Sequence, residues 1–333
     1  MLRDPVLSEP VLSEPVLSEP VPSPSDYAVG LDIGGTKTEG VVVDAAGAVV
    51  ASLVRATPHG ADAVVEAAAA MVGSLLARSA VTLAGDRAIG IGIPGLVDVG
   101  TGAVKHAVNL GIDGEWLALG SRLSDRLDQP VVIENDVNVA ALGTTTLLPS
   151  GRARDLAYLS IGTGLAAGLV LDGRLRRGVH GAAGEVGHLA VDPHGVRCSC
   201  GQVGCLETVG SGSALEAAWP DADASGPAVS LFRAADGGDP RAAEIVRRFA
   251  GAVATTIRVL CLTADVESVV LGGGVAQVGE PLLRAVRAEL AAQAQGSPFL
   301  SSLGLGDRVL LVPVGYPAAA VGAALLGRTE AGS

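Results

Sequence analysis

The chain has 333 residues, long enough for two domains with separate cores, and its 49% hydrophobic but only 2% aromatic composition predicts that those cores are aliphatic. A formal net charge of −12 argues against a nucleic-acid-binding surface, which would need a basic stripe. We find neither a membrane-spanning apolar run nor a signal-peptide pattern, and four cysteines do not resemble a secreted disulfide framework, so the composition predicts a cytoplasmic protein that binds neither membrane nor nucleic acid.

The N-terminal segment, residues 1–26, contains three copies of VLSEP followed by VPSPSD. Proline at every fifth position prevents a regular helix or a central strand. The segment therefore predicts a disordered acidic tail with polyproline II character. A docking role for the tail is the alternative.

The next stretch predicts three strands, over residues 27–33, 40–43 and 48–54, separated by glycine-rich turns. The first turn consists of Asp32, Ile33, Gly34, Gly35, Thr36 and Lys37. Glycines followed by a hydroxyl and an ammonium group expose backbone N–H groups to an anion, and Asp32 could supply a carboxylate on the Mg²⁺ side of a nucleotide. Because a strand follows the glycines, the pattern differs from a Walker A loop and from a Rossmann fingerprint. A plain tight turn explains the stretch equally well.

Four further elements are predicted before the middle of the chain. They are an alanine-rich helix over 61–79, a buried strand over 88–97 that ends at Pro94 and Gly95, a loop over 103–116 that contains Asn109, and a helix over about 117–127.

The run VVIENDVN, residues 131–138, predicts a strand that passes directly into a helix, with Asn135 or Asp136 in the N-cap region. Capping alone would explain either residue. A carboxylate at a helix N-terminus is also kept ionised by the helix dipole, and it can accept a proton from a bound hydroxyl. The pattern leaves both interpretations open.

Residues 156–171 repeat the order of strand, glycine turn and strand, with Gly162, Thr163 and Gly164 in the turn. Two such hairpins a domain's length apart indicate an internally duplicated architecture. The remaining predicted elements are helices at about 211–219, 227–235 and 239–263, strands at 269–271 and 308–313, and a helix at 318–327. The first of these two strands ends at Gly272, Gly273 and Gly274, a turn that permits close approach of a flat nucleotide.

The stretch from Glu185 to Glu207 contains three of the four cysteines, Cys198, Cys200 and Cys205, and His188 lies ten positions before the first of them. Thiolates and one imidazole are ligands that tetrahedral Zn²⁺ accepts in closed structural sites. The alternative is a disulfide or unrelated buried thiols, although Cys198 and Cys200 are badly placed to bridge each other. A metal here would hold Glu185, His188 and Glu207 together against a polyhydroxylated ligand.

Four motifs together resemble the ROK family of sugar kinases, within the actin-like ATPase superfamily, over about residues 27–327. The motifs are D-x-G-G-T-K from Asp32, E-N-D-x-N-x-x-A from Glu134, G-T-G from Gly162, and E-x-x-H-x₉-C-x-C-G-x-x-G-C-x-E from Glu185 to Glu207. The resemblance implies an α/β fold of two ribonuclease-H-like domains with an interdomain cleft. The expected division is a tail over 1–26, an N-terminal domain over 27–134 completed by a C-terminal helix over 317–329, and a second domain over 135–316 with a zinc loop over 188–205.

The resemblance also implies the roles of individual residues. Asp136 matches the catalytic base; the residues expected at the sugar are Gly95, Asn109, Asn135, Asp136, Glu185, His188 and Glu207. His188, Cys198, Cys200 and Cys205 match ligands of a structural Zn²⁺. ATP and Mg²⁺ are expected at Asp32, at the two glycine hairpins, and at the turn over 272–274, which matches the adenosine motif.

The implied activity is ATP-dependent phosphorylation of a hexose at O6, with glucose as the first candidate and amino or N-acetylated hexoses as the alternative. A dimer or tetramer is expected. Two rival classes are a sugar-responsive repressor and a noncatalytic sugar-binding protein. A repressor would need an N-terminal DNA-binding domain, which a short proline-repeat tail does not provide, and the intact base and phosphate hairpins disfavour a noncatalytic protein.

Overall fold

The structure is a computed structural model that describes residues 27–83, 88–149, 153–220 and 223–330. The predicted tail over residues 1–26 lies outside the described residues. Within them, no helix combines the length and apolar character that crossing a bilayer requires.

Two five-stranded sheets form the framework of the chain. The strands of the first sheet are β1 (Ala28–Ile33), β2 (Lys37–Val43), β3 (Val49–Ala56), β4 (Ile89–Ile93) and β7 (Val131–Asn135). Those of the second sheet are β8 (Leu156–Ile161), β9 (Leu165–Leu171), β10 (Arg174–Leu175), β11 (Ser268–Gly272) and β12 (Val309–Leu311). The orders are β3-β2-β1-β4-β7 and β10-β9-β8-β11-β12.

The two sheets share one topology. In each, the first three strands in sequence form an antiparallel meander, and two later strands join in parallel beside the first. Parallel strands need a crossover segment, and helices supply it in both halves. The duplicated architecture predicted from the two glycine hairpins is confirmed.

Ten α-helices lie in the described residues. They are α1 (Ala61–Ser79), α2 (Leu119–Leu127), α3 (Asp136–Thr144), α4 (Glu207–Gly210), α5 (Gly212–Ala218), α6 (Pro227–Asp236), α7 (Pro240–Ala264), α8 (Glu280–Ala294), α9 (Pro298–Ser302) and α10 (Ala318–Glu330). Their buried faces are aliphatic, as the composition predicts, and the edge-to-face pair of Phe232 and Phe249 is an exception, with ring centroids 6.4 Å apart.

Several predicted boundaries are wrong, and each has a local cause. The strand predicted over 88–97 ends at Ile93, because Pro94 has no N–H for the ladder. The chain then forms a separate ribbon of β5 (Leu96–Asp98) and β6 (Ala103–Lys105), so the segment 103–116 is not all loop. By contrast, the helix predicted at about 211–219 is confirmed as α5, which runs from Gly212 to Ala218, and the hydroxyl of Ser211 caps it by accepting from the N–H of Ala214.

The C-terminal helix α10 packs on the first sheet, although it follows the second in sequence. A methyl group added at Gly30 of β1 would lie 2.1 Å from the carbonyl oxygen of Ala320, and one at Gly90 of β4 would lie 1.7 Å from that of Ala323. Only glycine permits so close an approach of helix to strand. This placement agrees with the expectation for residues 317–329, while the exact domain boundaries stay a prediction.

Helices α3 and α10 cross where the two halves meet. A methyl group added at Gly143 would lie 1.8 Å from the carbonyl oxygen of Ala318, and one at Gly322 would lie 1.7 Å from that of Val139. Helix α3 also packs on the second sheet, since a methyl group at Gly168 of β9 would lie 2.6 Å from the carbonyl oxygen of Val137. The two helices therefore touch through their backbones.

Substitution of Gly322 tests this crossing. We expect Gly322→Ala to lower the free energy of unfolding by about 1–3 kcal/mol, because the added methyl group forces the helices apart. The matched control is Gly73→Ala in α1, where an added methyl group meets nothing within 4 Å. That variant should gain roughly 0.5–1 kcal/mol from the lower helix propensity of glycine. Urea unfolding of both variants measures the difference, and a shift of the same sign in both would contradict the close crossing.

Candidate active site

The motif E-N-D-x-N-x-x-A places Asn135 and Asp136 at the junction of β7 and α3. Asn135 is the N-cap, and its Oδ1 accepts from the N–H groups of Val137 at 2.9 Å and Asn138 at 3.3 Å. Its Nδ2 donates to the carbonyl oxygen of Gly95 at 3.4 Å. Asp136 is the first helical residue, and its Oδ1 accepts from the Val137 N–H at 2.9 Å. Asn135 therefore does the capping, and Asp136 is left for another role.

The surroundings of Asp136 raise its pKa above the usual range for an aspartate. Burial is the main cause and the negative charge of Glu185 adds to it, while hydrogen bonds from the helix N-terminus and Asn135 oppose the shift in part. Burial therefore affects the pKa of Asp136 more than the helix N-terminus does. A raised pKa makes the carboxylate a stronger proton acceptor.

A cavity of about 440 Å³ opens beside this junction, between the two halves of the chain. Three residues predicted at the sugar, Gly95, Asn135 and Glu185, line it. Asp136 itself is not in the lining, although both of its neighbours in sequence are. Asn109 lies elsewhere, against the first glycine hairpin, where a methyl group added at Gly35 would be 2.7 Å from its Cβ.

The sequence analysis missed several residues of this cavity, including Glu134, Arg177, Trp116 and Val179. Trp116 is 50% exposed and Val179 is 92% exposed, so the rim of the cavity is apolar. A signal for Glu134 was available, because a glutamate at the end of an otherwise apolar strand needs a partner when it is buried.

The cysteine-rich stretch brings together the four residues predicted to bind metal. The ligand atoms of His188, Cys198, Cys200 and Cys205 all lie within 4.8 Å of one another. Two edges of this group, Cys198 Sγ to His188 Nδ1 and Cys200 Sγ to Cys205 Sγ, both measure 3.7 Å. The sulfur–sulfur edge of a zinc tetrahedron is about 3.8 Å, given Zn–S bonds of about 2.3 Å. The four free side chains therefore fit a structural Zn²⁺.

Gln202 supports the cluster from within the loop. Its Nε2 donates to the carbonyl oxygen of His188 at 3.1 Å and to Cys200 Sγ at 3.4 Å. The hydrogen bonds from the side chain and the backbone N–H of Gln202 lower the pKa of Cys200 to about 6, whereas burial raises the pKa of Cys205. Cys200 is thus better prepared than Cys205 to bind a cation as a thiolate.

The cluster connects to the cavity through His188 and to the second hairpin through Glu207. His188 directs Nδ1 to Cys198, and its Nε2 lies 4.0 Å from Oε2 of Glu185. Glu207 accepts from the N–H of Leu165 at 2.9 Å, immediately after the second glycine turn, and its other oxygen is 3.8 Å from Cys198 Sγ. Of Glu185, His188 and Glu207, which a metal was expected to hold against the ligand, only Glu185 lies in the cavity wall.

A second cavity of about 420 Å³ joins Asp32 and Lys37 of the first sheet to the turn over 272–274 of the second. Burial is the largest cause that raises the pKa of Asp32 to about 7, followed by the charges of Asp136 and Glu39. A bound cation would relieve the repulsion between these carboxylates, so the site favours cation binding. Carboxylate oxygens are ligands that Mg²⁺ prefers. Asp32 fits that role.

The two glycine hairpins predicted at the phosphates are both formed. In the first, the N–H of Gly34 donates to the carbonyl oxygen of Lys37 at 3.0 Å; in the second, the N–H of Gly162 donates to that of Gly164 at 3.1 Å. The side chain of Ser213 in α5 donates to the carbonyl oxygen of Thr163. These hairpins come from equivalent positions of the two sheets. The lining of the second cavity does not include Gly35, Thr36 or the turn over residues 162–164.

Comparison with known proteins places this geometry in context. A ROK family glucokinase from Streptomyces griseus, solved in complex with glucose and AMPPNP, is 32% identical with a TM-score of 0.73, over 91% of this chain and 99% of that chain. An N-acetylmannosamine kinase of Yersinia pseudotuberculosis is 32% identical over 263 residues, 78% of this chain and 87% of that protein. A xylose repressor of Caldicellulosiruptor bescii is 43% identical over 129 residues, 38% of this chain and 31% of that protein.

The sequence profile of the ROK family matches residues 28–330, which is nearly all of the described chain. The fold agrees, since a solved ROK hexokinase and a solved ROK family glucokinase each match this chain with a TM-score of 0.73. The chain therefore belongs to the ROK family and has its two-domain, actin-like ATPase fold.

Proposed function

We propose that this protein is an ATP-dependent hexose kinase that transfers phosphate to O6 of its sugar, with glucose as the first candidate. The observation that carries the proposal is the position of Asp136 between the two cavities. Its flanking residues line the first cavity, and its charge acts on Asp32 in the second. A base placed between a sugar site and a nucleotide site is what phosphoryl transfer to a hydroxyl requires.

Asp136 would accept the proton of the attacking hydroxyl as that oxygen reaches the γ-phosphorus. The transition state of phosphoryl transfer is loose, so positioning and charge stabilisation contribute more than base strength. The raised pKa of Asp136 favours the transfer without being essential to it. Asn135 supports this arrangement because its side chain holds both the helix N-terminus and the carbonyl of Gly95.

The sugar would occupy the first cavity. Glu185 and Asn135 present a carboxylate and an amide there, and these groups bind sugar hydroxyls through hydrogen bonds. Zn²⁺ held by His188 and the three cysteines would fix the imidazole ring, so that its other nitrogen stays directed at Glu185. Glu207 would act indirectly, because it lies outside the cavity lining and accepts a hydrogen bond from the N–H of Leu165 at the start of β9.

The nucleotide would bind in the second cavity and between the hairpins. The turn over 272–274 would take the adenosine, while Asp32 would hold Mg²⁺, which neutralises phosphate charge when bound. The hairpin N–H groups would contact the phosphates, with Lys37 beside the first hairpin.

A kinase for an amino or N-acetylated hexose is the alternative, and the similarity to an N-acetylmannosamine kinase supports it. The apolar rim at Trp116 and Val179 could contact an acetyl methyl group. A repressor is less well supported, because a net charge of −12 disfavours DNA binding and a base beside two cavities has no use in a sensor.

A panel of hexoses in a coupled ADP-release assay tests the proposal. Glucose, N-acetylmannosamine, N-acetylglucosamine, fructose and kanosamine are each offered at equal concentration with Mg²⁺ and ATP. We expect sugar-dependent ADP release with at least one, highest with glucose, and ³¹P NMR should show the phosphate on O6. ATP hydrolysis that is independent of every sugar would contradict the proposal.

A further inference from the structure

The carboxylate of Glu134 is almost fully buried, with 2% exposure, at the end of β7. Its Oε1 accepts from the backbone N–H of Asn135 and from the side chain of Asn138, both at 2.9 Å. Its Oε2 accepts from Nε of Arg177. A carboxylate is tolerated in such a place only when hydrogen bonds and a cation replace the lost water. Arg177 is the cation.

Arg177 immediately precedes a loop in the other half of the chain. It follows β10 by two residues, and its carbonyl oxygen accepts from the N–H of Ala183 at 3.1 Å, so residues 178–182 form a closed loop. This loop supplies Val179 and His180 to the wall of the first cavity. The chain then returns to β9, where the N–H of Ala167 donates to the carbonyl oxygen of Gly184, immediately before Glu185.

The ion pair thus joins a strand of the first sheet to a loop of the second. We propose that Arg177 is a positioning residue: held by Glu134, it keeps the loop over residues 178–182 closed against the sugar cavity and fixes Glu185 relative to Asp136. Its effect on the sugar rests on the proposed function, whereas its effect on the loop does not.

Two features of the pair make its geometry matter. Glu134 directly precedes Asn135 and Asp136, so any movement of its side chain acts on the start of α3. The planar guanidinium group offers directed N–H donors that a lysine ammonium does not, and so lysine would keep the charge without the alignment. The second cavity includes neither Glu134 nor Arg177 in its lining, so nucleotide binding should be unaffected.

Steady-state kinetics of Arg177→Ala and Arg177→Lys, with Arg176→Ala as the matched control, tests the sugar effect. Arg176 is the exposed neighbour at the same end of β10. We expect KM for the sugar to rise roughly tenfold or more in Arg177→Ala and to be only partly restored in Arg177→Lys, with KM for ATP changed less than about twofold. Arg176→Ala should match the wild type in both.

Hydrogen exchange of the same proteins tests the loop effect without any turnover. We expect faster exchange at the amides of residues 178–183 in Arg177→Ala, and no change in Arg176→Ala. The double variant Glu134→Gln with Arg177→Met removes the buried charge along with its partner. Because it leaves no unpaired buried charge, the double variant should fold even if Arg177→Ala does not. Its loop amides should exchange as fast as those expected for Arg177→Ala.

The outcomes separate the two proposals. The positioning role would be overturned if the loop amides of Arg177→Ala and of the double variant exchanged at the same rate as those of Arg176→Ala. Equal losses for sugar and ATP, accompanied by general unfolding, would also overturn it, because a merely structural residue behaves in that way. If the wild type phosphorylates no hexose, the proposed function fails, and loop exchange still decides whether Arg177 anchors the loop.

Discussion

Replacement of Asp136 by asparagine should lower kcat by about 10²- to 10⁴-fold, the usual contribution of a general base. The affinity for the sugar should change less than about twofold. The substitution keeps the size of the side chain, and the asparagine oxygen can still accept from the N–H of Val137, as Oδ1 of the aspartate does. Only the proton-accepting capacity is lost. Single-turnover kinetics with excess enzyme measures the chemical step, and calorimetric titration measures sugar binding.

An exposed aspartate supplies the control for this result. Asp125 in α2 is exposed, and Asp125→Asn makes the same change of charge away from both cavities. Its kcat should equal that of the wild type. If kcat of Asp136→Asn were comparable with that of Asp125→Asn, Asp136 would have no role as the base.

The same variant has a second expected effect, on Asp32. The charge of Asp136 is the second cause that raises the pKa of Asp32, after burial. Removal of that charge should therefore lower the pKa of Asp32 from about 7 toward its usual range, so that the group ionises at lower pH. Titration followed by carboxyl-carbon NMR would show the shift even in a catalytically dead protein, and an unchanged Asp32 titration would place the two carboxylates farther apart than the structure does.

Loss of a cysteine from the metal cluster should have the second large effect. We expect Cys198→Ser to reduce bound zinc from about one ion per chain to nearly none, because hydroxyl is a poor replacement for thiolate. KM for the sugar should then rise by roughly 10- to 100-fold, since His188 and Glu207 both contact this cysteine and lose their support. Elemental analysis by mass spectrometry, alongside kinetics, measures both quantities.

The fourth cysteine supplies the control for the cluster. Cys261 lies in α7, is buried like Cys198, and takes no part in the group of four ligands. Cys261→Ala should keep its zinc and its KM. Zinc content in Cys198→Ser equal to that of Cys261→Ala would disprove the assigned ligand set, and a retained sugar KM after zinc loss would show that the cluster does not shape the cavity.

The parts of the site that could be predicted from sequence are those built from neighbouring residues. The cap at Asn135, the closed hairpins at Gly34 and Gly162, and the four metal ligands depend on spacing within a turn or a short loop. Local backbone geometry fixes such groups whatever the rest of the chain does. The duplication of the strand–turn–strand unit in both sheets was predicted from the repeated hairpin for the same reason.

What escaped prediction depends on contacts between distant segments. Glu134 and Arg177 are separated by 43 residues and belong to different halves of the chain, so no spacing relates them. The burial that raises the pKa of Asp136 also comes from the assembled halves, and it reverses the effect expected from the helix dipole alone. Asn109 lies against Gly35 and outside the cavity lining, so its role at the sugar stays a prediction.

The scarcity of aromatic residues gives the molecule a spectroscopic property. Its two tryptophans occupy contrasting places. Trp219 donates a hydrogen bond to Ser230, lies beneath the guanidinium of Arg241 and is not in the lining of the first cavity, whereas Trp116 is half exposed and lines that cavity. Tryptophan fluorescence at the long-wavelength side of the emission band therefore comes mainly from the solvent-exposed indole of Trp116. Intrinsic fluorescence can report occupancy of that cavity without a dye or a label.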